Sequence, residues 1–269
     1  MNLYNIYFSA TGRAKEIADI VAKTDNEGVI DIDLSRQDFD RTKYDFTPED
    51  LCLAAVSVYE GRVPKPARER LARLKGNGAG VVLLAVYGAR AIDDCLIEMY
   101  DILTRAGFVP VAGMEAVAQH SIITSIAADR PSQKDKEEIK SFAAKVHNQL
   151  MARLAEKGRE FSYAGYMEGK TLPLPGNRPY VDMGGLPLHP KGNKKCISCG
   201  ICAKNCPVGA ISKENPRATD GKKCITCMRC VKLCPTHARD FNPLLVKVAG
   251  MAMKKRFAGE KTNKLYMAE

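Results

Sequence analysis

Residues 196–207, CISCGICAKNCP, and residues 224–235, CITCMRCVKLCP, carry the same cysteine pattern. In each stretch three cysteines are separated by two residues, and a fourth follows after three more residues and precedes a proline. The second stretch begins 28 residues after the first, and together they hold eight of the ten cysteines of the chain. The repeat indicates an internal duplication in which both copies form the same small unit.

Cysteines at this spacing surround a cube of iron and sulfide with soft thiolate ligands. The fourth cysteine of each run, redirected by its proline, reaches the cluster of the other copy. The pattern therefore predicts two [4Fe–4S] clusters with four cysteine ligands each. The first set is Cys196, Cys199, Cys202 and Cys234, and the second set is Cys224, Cys227, Cys230 and Cys206.

Zinc is the competing explanation for paired cysteines. Zinc sites use four ligands in two separated pairs, often with histidine, and the three consecutive cysteine steps ending in Cys-Pro do not fit that arrangement. Residues 190–240 resemble the bacterial two-cluster ferredoxins and match their motif at every ligand. The resemblance implies a small α+β domain. Because so short a segment buries little apolar surface, we expect the clusters to help hold it together.

Charge is distributed unevenly along the 269 residues. Residues 1–190 carry a net charge of −2, and residues 191–269 carry +12, which indicates two different domains. A basic surface favours an acidic redox partner, with a merely solvated surface as the alternative. A nucleic-acid partner is not expected, because the segment lacks a binding module and interleaved aromatic residues. The basic residues are Lys191, Lys194, Lys195, Lys204, Lys222, Lys223, Arg229 and Lys232.

The first 157 residues alternate between strand and helix patterns. We expect five strands, which fits a doubly wound parallel sheet of the α/β class. Ser132 with Asp135 resembles a cap for the last helix. The expected strands are 3–8, 28–34, 51–58, 79–86 and 108–117, and the expected helices are 14–23, 65–75, 92–106 and 133–157.

Three loops follow strands of this sheet, at the edge where such folds bind ligands. The first contains two hydroxyls, a glycine and the amide groups of a helix N-terminus, which suit a phosphate monoester. The other two each carry an aromatic residue, a glycine and an arginine, between which a flat heterocycle would fit. The loops are Ser9, Thr11, Gly12, Arg13 and Ala14; Tyr59, Glu60, Gly61 and Arg62; and Tyr87, Gly88, Ala89 and Arg90.

This trio of loops resembles flavodoxin over residues 1–155, and the resemblance implies an FMN cofactor. Ser9, Thr11 and Gly12 match the phosphate loop of that family, whereas Arg13 and Ala14 replace its usual Asn and Thr. One phosphate-binding hydroxyl is therefore missing, and Arg13 adds a positive charge. By the resemblance, the second and third loops would enclose the isoalloxazine ring.

Each of these residues also has a purely structural interpretation. Tyr59 and Tyr87 would then cover the edge of the sheet, and Arg62 and Arg90 would be solvated charges. His120, at the end of the fifth strand, either contacts the cofactor or a substrate or is a hydrogen-bonded structural histidine, and the second interpretation is favoured. Cys52 and Cys95 fall within a strand and a helix, where buried, inert thiols are expected.

The chain divides into four segments by these patterns. Residues 1–157 form the flavodoxin-like domain, residues 158–190 a linker rich in Gly and Pro, and residues 191–242 the ferredoxin-like domain. Residues 243–269 are expected to form a helical extension, with an amphipathic helix at 243–258 that packs on the protein. No apolar run is long enough for a membrane span, and no secretory signal is apparent, so a cytoplasmic location is expected.

Taken together, the halves resemble the flavodoxin/ferredoxin fusion proteins found mainly in anaerobes. The resemblance implies an iron–sulfur flavoprotein that transfers electrons between two clusters, FMN and an external redox partner. Two alternatives remain: a flavin-dependent reductase of a bound small molecule, and a redox sensor that lacks flavin. No catalytic residue is assigned, and the sequence leaves open the terminal donor and acceptor, the direction of electron flow and the oligomeric state.

Overall fold

A computed structural model describes residues 2–23, 28–182, 184, 188–241, 248, 251, 259 and 261–269. Five parallel strands form its main sheet, in the order β2-β1-β3-β4-β5. This order is that of the flavodoxin-like doubly wound folds and confirms the predicted fold class. The strands are β1 (Leu3–Phe8), β2 (Val29–Asp33), β3 (Leu51–Ser57), β4 (Gly80–Tyr87) and β5 (Val109–Val117).

Four helices cover the two faces of the sheet. Residues of α1 and α4 share one apolar cluster with the strands, and residues of α2 and α3 share the other. The Ser132 hydroxyl accepts a hydrogen bond from the Asp135 amide, and the Asp135 carboxylate accepts one from the Ser132 amide, so the capping box on α4 is present. The helices are α1 (Arg13–Ala22), α2 (Lys65–Leu71), α3 (Cys95–Arg105) and α4 (Gln133–Lys157).

The sheet has a sixth strand that the sequence pattern did not predict. Strand β8 (Lys264–Met267) pairs antiparallel with β5, so the expectation of a five-stranded, all-parallel sheet was incomplete. Tyr266 donates a hydrogen bond to Glu115 at 2.8 Å, and the Lys264 ammonium lies 2.9 Å from the same carboxylate. Four residues are too few for a clear strand pattern, and pairing with an existing edge supplies the missing stabilisation. The helix expected at 243–258 lies outside the described residues, apart from Val248 and Met251.

The segment expected to be a linker is bound to the first domain. It begins with a short helix, α5 (Tyr163–Met167), whose Tyr163 ring is buried against Gly80 of β4. Further along, the carboxylate of Asp94 accepts hydrogen bonds from the amides of Asn177, at 2.8 Å, and Val181, at 2.6 Å. The linker therefore follows the surface of the sheet domain.

The cysteine-rich segment forms a small module with an internal repeat. Its short strands β6 (Lys191–Gly192) and β7 (Arg239–Asp240) pair antiparallel, and its helices are α6 (Ile201–Lys204) and α7 (Arg229–Lys232). The two helices begin 28 residues apart. The left-handed backbone positions follow the same offset, in the pairs Ser198 and Thr226, Gly200 and Met228, and Gly209 and His237. The duplication seen in the sequence is therefore a duplication of backbone conformation.

The module lies against the carboxyl edge of the sheet. The Arg229 guanidinium donates to the Ser9 carbonyl at 3.3 Å and lies 3.6 Å from the Asp33 carboxylate. From the sheet domain, Arg70 donates to the Pro207 carbonyl at 2.8 Å. The edge where doubly wound folds bind ligands is thus the edge that meets the cysteines. In the part of the chain described above, no helix combines the length and apolar character needed to cross a membrane.

Candidate functional site

The second predicted cysteine set lies around one cavity. The lining includes all four of its members, Cys206, Cys224, Cys227 and Cys230, together with Met228 and other apolar residues. Cys206 comes from the first copy of the repeat and the other three come from the second, so the structure brings together the crossed set that the spacing predicted. Within the described ranges, no three His, Cys, Asp or Glu side chains are grouped as ligands of one metal ion.

Burial and mutual repulsion of the thiolates in this set favour binding of a cation among them. Burial raises the pKa of Cys227 to about 12, and the negative charges of Cys230, Cys206 and Cys224 raise it as well. The ionised thiolate that binds a metal is therefore disfavoured at Cys227 unless positive charge lies beside it. Iron supplies that charge when it replaces the protons, so this donor set fits an iron–sulfur cluster.

The first predicted cysteine set lies nearer the surface. Cys202 is buried and Cys196 is half-buried. Burial is the main cause of the raised pKa of Cys202, and the charge of Cys196 raises it by a smaller amount. Cys199 is exposed. Cys234 accepts a hydrogen bond from the Ala238 amide at 3.2 Å. A cluster on this set would be the one closer to an external partner.

Backbone amides donate to cysteine sulfurs in both copies of the repeat. Ala210 donates to Cys206 at 3.2 Å, and the equivalent Ala238 donates to Cys234 at the same distance. The Thr226 amide donates to Cys224 at 3.4 Å. Hydrogen bonds to sulfur stabilise the more negative, reduced form of a cluster, so the repeated turns fit a redox role.

The predicted phosphate loop surrounds the start of α1. Gly12 has a φ of +97° and precedes the helix, and an added Cβ would meet open space there. The Ser9 hydroxyl accepts a hydrogen bond from the Lys15 amide at 3.0 Å, so it stabilises the loop itself. Arg13 donates to Glu16 at 2.6 Å and to Gln119 at 3.0 Å. Ala14 is buried.

A cavity of about 290 Å³ opens beside this loop. The sheet domain contributes one side of it through the phosphate loop and the loop after β5. The cysteine-rich module contributes the other side through α7. Its lining residues are Thr11, Gly12, Arg13, Glu16, Gln119, His120, Ser121, Thr124, Met228, Val231 and Lys232. The helix N-terminus, Arg13 and Lys232 fit the phosphate end of FMN, and Met228 and Val231 give the cavity an apolar wall.

The loop after β3 faces the cysteines rather than this cavity. Tyr59 packs edge-on against Phe8 with ring centroids 6.2 Å apart. Burial raises the pKa of Tyr59 well above its usual value, and the charge of Cys227 raises it further while that of Arg229 lowers it. Gly61 has a φ of +80°, and an added Cβ would overlap the Asp93 side chain. Glu60 also has a positive φ, of 55°.

Arg62 is engaged in a buried ion pair. Its guanidinium forms two hydrogen bonds of 2.8 Å to Glu98, which is 1% exposed, and donates to the Val181 carbonyl of the linker at 2.5 Å. Its position and partners therefore connect the loop, α3 and the linker. Sequence reasoning missed Glu98 as its partner, because an acidic residue within an amphipathic helix carries no sign of being buried.

The loop after β4 packs against the loop after β5. Tyr87 is buried, and a Cβ on Gly88 would lie 2.8 Å from the His120 ring. Arg90 pairs with Asp93, and Ala89 has a φ of +63°. Neither Tyr59 nor Tyr87 lines the 290 Å³ cavity. The three predicted loops thus share one edge of the sheet, but only the first of them contributes to this cavity.

His120 stabilises its own loop. Its Nδ1 accepts hydrogen bonds from the amides of Ile122, at 3.2 Å, and Ile123, at 3.0 Å. Burial lowers the pKa of His120, which favours the neutral ring that can accept them. This agrees with the structural interpretation of His120. Cys52 and Cys95 are buried free thiols whose pKa burial raises, as expected from their places in β3 and α3.

Comparison with known proteins identifies the cysteine-rich module. Residues 195–239 match the family model described as 4Fe-4S dicluster domain. A curated relative, NADH-quinone oxidoreductase subunit I 1 of Rhodopseudomonas palustris (strain BisA53), is 34% identical over 61 residues. That match covers 21% of this chain and 35% of the relative, so the chain spans about a third of the relative's length.

Solved flavodoxins align with 55% of the chain. A flavodoxin of Streptococcus pneumoniae TIGR4 is 20% identical, with 55% of this chain and 99% of that protein covered at a TM-score of 0.39. A flavodoxin from the domain Archaea is 13% identical, with 55% and 98% covered at a TM-score of 0.36. The fold assignment itself rests on the 2-1-3-4-5 strand order. The chain therefore joins a flavodoxin-like α/β domain to a C-terminal 4Fe-4S dicluster domain.

Proposed function

We propose that this protein is an iron–sulfur flavoprotein that transfers electrons between two [4Fe–4S] clusters, FMN and an external redox partner. The observation that carries the proposal is the position of Met228, which lines both the cavity of the second cysteine set and the cavity beside the phosphate loop. One residue thus borders both candidate cofactor sites. Flavin exchanges one or two electrons and each cluster exchanges one, so a flavin next to a cluster can connect the two kinds of transfer.

The residues around the cavity have distinct roles in this proposal. The amides at the start of α1, with Arg13 and Lys232, would bind the FMN phosphate by charge and hydrogen bonding. Met228 and Val231 would exclude water from the side of the cavity that faces the cysteines. Arg229, which donates to the Ser9 carbonyl, would hold the module against the phosphate loop.

The first cysteine set supplies the surface for an external partner. Ile197 is 65% exposed beside the exposed Cys199, and exposed lysines, Lys194, Lys195 and Lys204, lie nearby in the chain. An apolar contact point with positive charge close to a cluster favours a redox protein with an acidic surface. We propose that electrons enter or leave the protein here.

The metal content tests the crossed ligand sets. Anaerobically prepared protein should contain about eight iron and eight sulfide per chain. Cys206→Ser should lose the cluster that Cys224, Cys227 and Cys230 otherwise share, leaving about four iron, because the fourth ligand crosses between copies. The buried Cys52, changed to Ala, is the control and should leave the iron content unchanged. Stoichiometric zinc, or four iron in the unaltered protein, would show that the assignment is wrong.

Flavin affinity tests the phosphate loop. FMN should bind more tightly than riboflavin, because only FMN carries the phosphate that α1 and Arg13 would contact. Arg13→Ala should weaken FMN binding by about tenfold, roughly 1.4 kcal/mol, and leave riboflavin binding nearly unchanged. Arg36→Ala removes an exposed arginine that pairs with Asp38 and serves as the matched control. Equal affinities for FMN and riboflavin, measured by fluorescence titration, would argue against a phosphate site.

The rate of flavin reduction tests the path between the cofactors. After a low-potential donor reduces the clusters, flavin reduction should proceed at a rate that does not change over a tenfold range of protein concentration. Cys206→Ser with FMN bound should lose this phase but retain direct photoreduction of the flavin. A rate proportional to protein concentration would mean that electrons pass between molecules, and the proposed internal path would then fail.

The salt dependence of reduction tests the partner surface. Lys194→Glu combined with Lys195→Glu should slow reduction by a small acidic ferredoxin about tenfold at low salt, with the difference shrinking as ions screen charges beyond about 10 Å at 0.1 M. Lys43→Glu combined with Lys170→Glu makes the same change in net charge at exposed lysines of the sheet domain and the linker. If both double variants slow the reaction equally, overall charge explains the effect and the proposed docking surface is excluded.

A further inference from the structure

Arg239 has an unusual position for a charged residue. It is 2% exposed and is among the largest fully buried side chains described, and it lies in β7 inside the cysteine-rich module. The equivalent residue in the first copy of the repeat, 28 residues earlier, is the buried and apolar Ile211. At this equivalent position the first copy of the repeat therefore buries an apolar side chain and the second copy buries a guanidinium.

The hydrogen-bond acceptors around Arg239 are neutral oxygens. Its guanidinium donates to the carbonyls of Pro190, at 2.9 Å, and Pro216, and to the hydroxyl of Thr219. Among the described residues, no carboxylate forms an ion pair with it. Its Nε is buried and has no acceptor within the described structure. A buried cation without a negative partner is strongly unfavourable, so within the described structure its charge partner has to be an anion other than a carboxylate.

Cysteines of both sets, which can carry negative charge, lie close to Arg239. One Nη of Arg239 lies 4.0 Å from the Cys202 sulfur, which belongs to the first set. On the second set, the Arg239 guanidinium donates a hydrogen bond to the Cys230 sulfur. Arg239 is thus placed between the two sets.

We propose that Arg239 is the counter-cation shared by both cluster sites, and that it raises the reduction potentials of the two clusters together. The inference rests on the two clusters of the proposed function. Each cluster with its four thiolates carries a net charge of about −2 when oxidised, and reduction adds one electron to it. A nearby fixed positive charge favours the more negative form, and Arg239 itself gains and loses nothing in the step.

The shared position gives the proposal a specific signature. An arginine beside one cluster would shift one potential, whereas a cation between two clusters shifts both in the same direction. Solvent screens an exposed arginine, so it should have little effect on either potential even where it lies near a cluster. Arg217 offers that comparison, because it is exposed and donates to the Cys196 carbonyl at 3.2 Å.

The test compares Arg239→Met, Arg239→Lys and Arg217→Met in the full-length protein. Iron and sulfide are counted first, and both cluster potentials are then measured by titration followed with electron paramagnetic resonance. Arg239→Met, which keeps the length and removes the charge, should shift both potentials to more negative values. Arg239→Lys, which keeps the charge, and Arg217→Met should remain close to the unaltered protein.

Each outcome decides the proposal. Unchanged potentials in Arg239→Met with full iron content would overturn it, as would a shift confined to one cluster. Assembly of both clusters in Arg239→Lys but not in Arg239→Met would support it, because the charge alone then distinguishes the variants. Failure of both variants to bind iron would overturn it in favour of a packing role. The iron content of the unaltered protein tests the clusters independently, so failure of the proposed function is recognised separately.

Discussion

The structure depends on how negative charge is accommodated at the cysteines. Eight thiolates within a segment of 39 residues would repel one another, and the module has only a small apolar core to oppose them. Backbone amides aimed at sulfur, a buried arginine and the proposed iron each bring positive charge or dipoles to the same place. The left-handed turns that repeat every 28 residues orient those amides toward the sulfurs. The repeated backbone geometry thus also provides part of the compensation of the thiolate charge.

The same charges organise the contact between the two halves. Arg229 lies at the start of α7, next to the second cysteine set, and its guanidinium reaches the phosphate loop and Asp33 at the end of β2. Tyr59, after β3, is half-buried and lies close enough to Cys227 and Arg229 for the charges of both to affect its pKa. The carboxyl edge of the sheet, which binds ligands in folds of this kind, is therefore covered by the module. A cofactor bound there would contact both domains.

Features set by local pattern could be predicted from the sequence, and features set by tertiary pairing could not. The crossed cysteine set, the five parallel strands and the Ser132 cap follow from spacing, periodicity and capping chemistry. Strand β8 was missed because four residues are too few to show a strand pattern, and the strand forms by pairing with the edge strand β5.

The loop arginines illustrate the same limit. Arg62 lies in a loop typical of ligand binding, but its buried partner Glu98 is 36 residues away in the sequence. A helical extension was expected over residues 243–269, but residues 264–267 form a strand. The helical pattern at 243–258 therefore did not extend to the end of the segment.

Strand β8 also determines the connectivity of the molecule. The chain leaves the sheet domain at the linker, forms the cysteine-rich module and then returns to pair with β5. Topologically the module is an insertion with two anchors rather than a tail with one. Two anchors restrict the volume that the module can explore, so its effective concentration at the edge of the sheet stays high even when the direct contacts open. In the proposed electron transfer, the distance between the two domains would thus be limited by chain connectivity as well as by the interface.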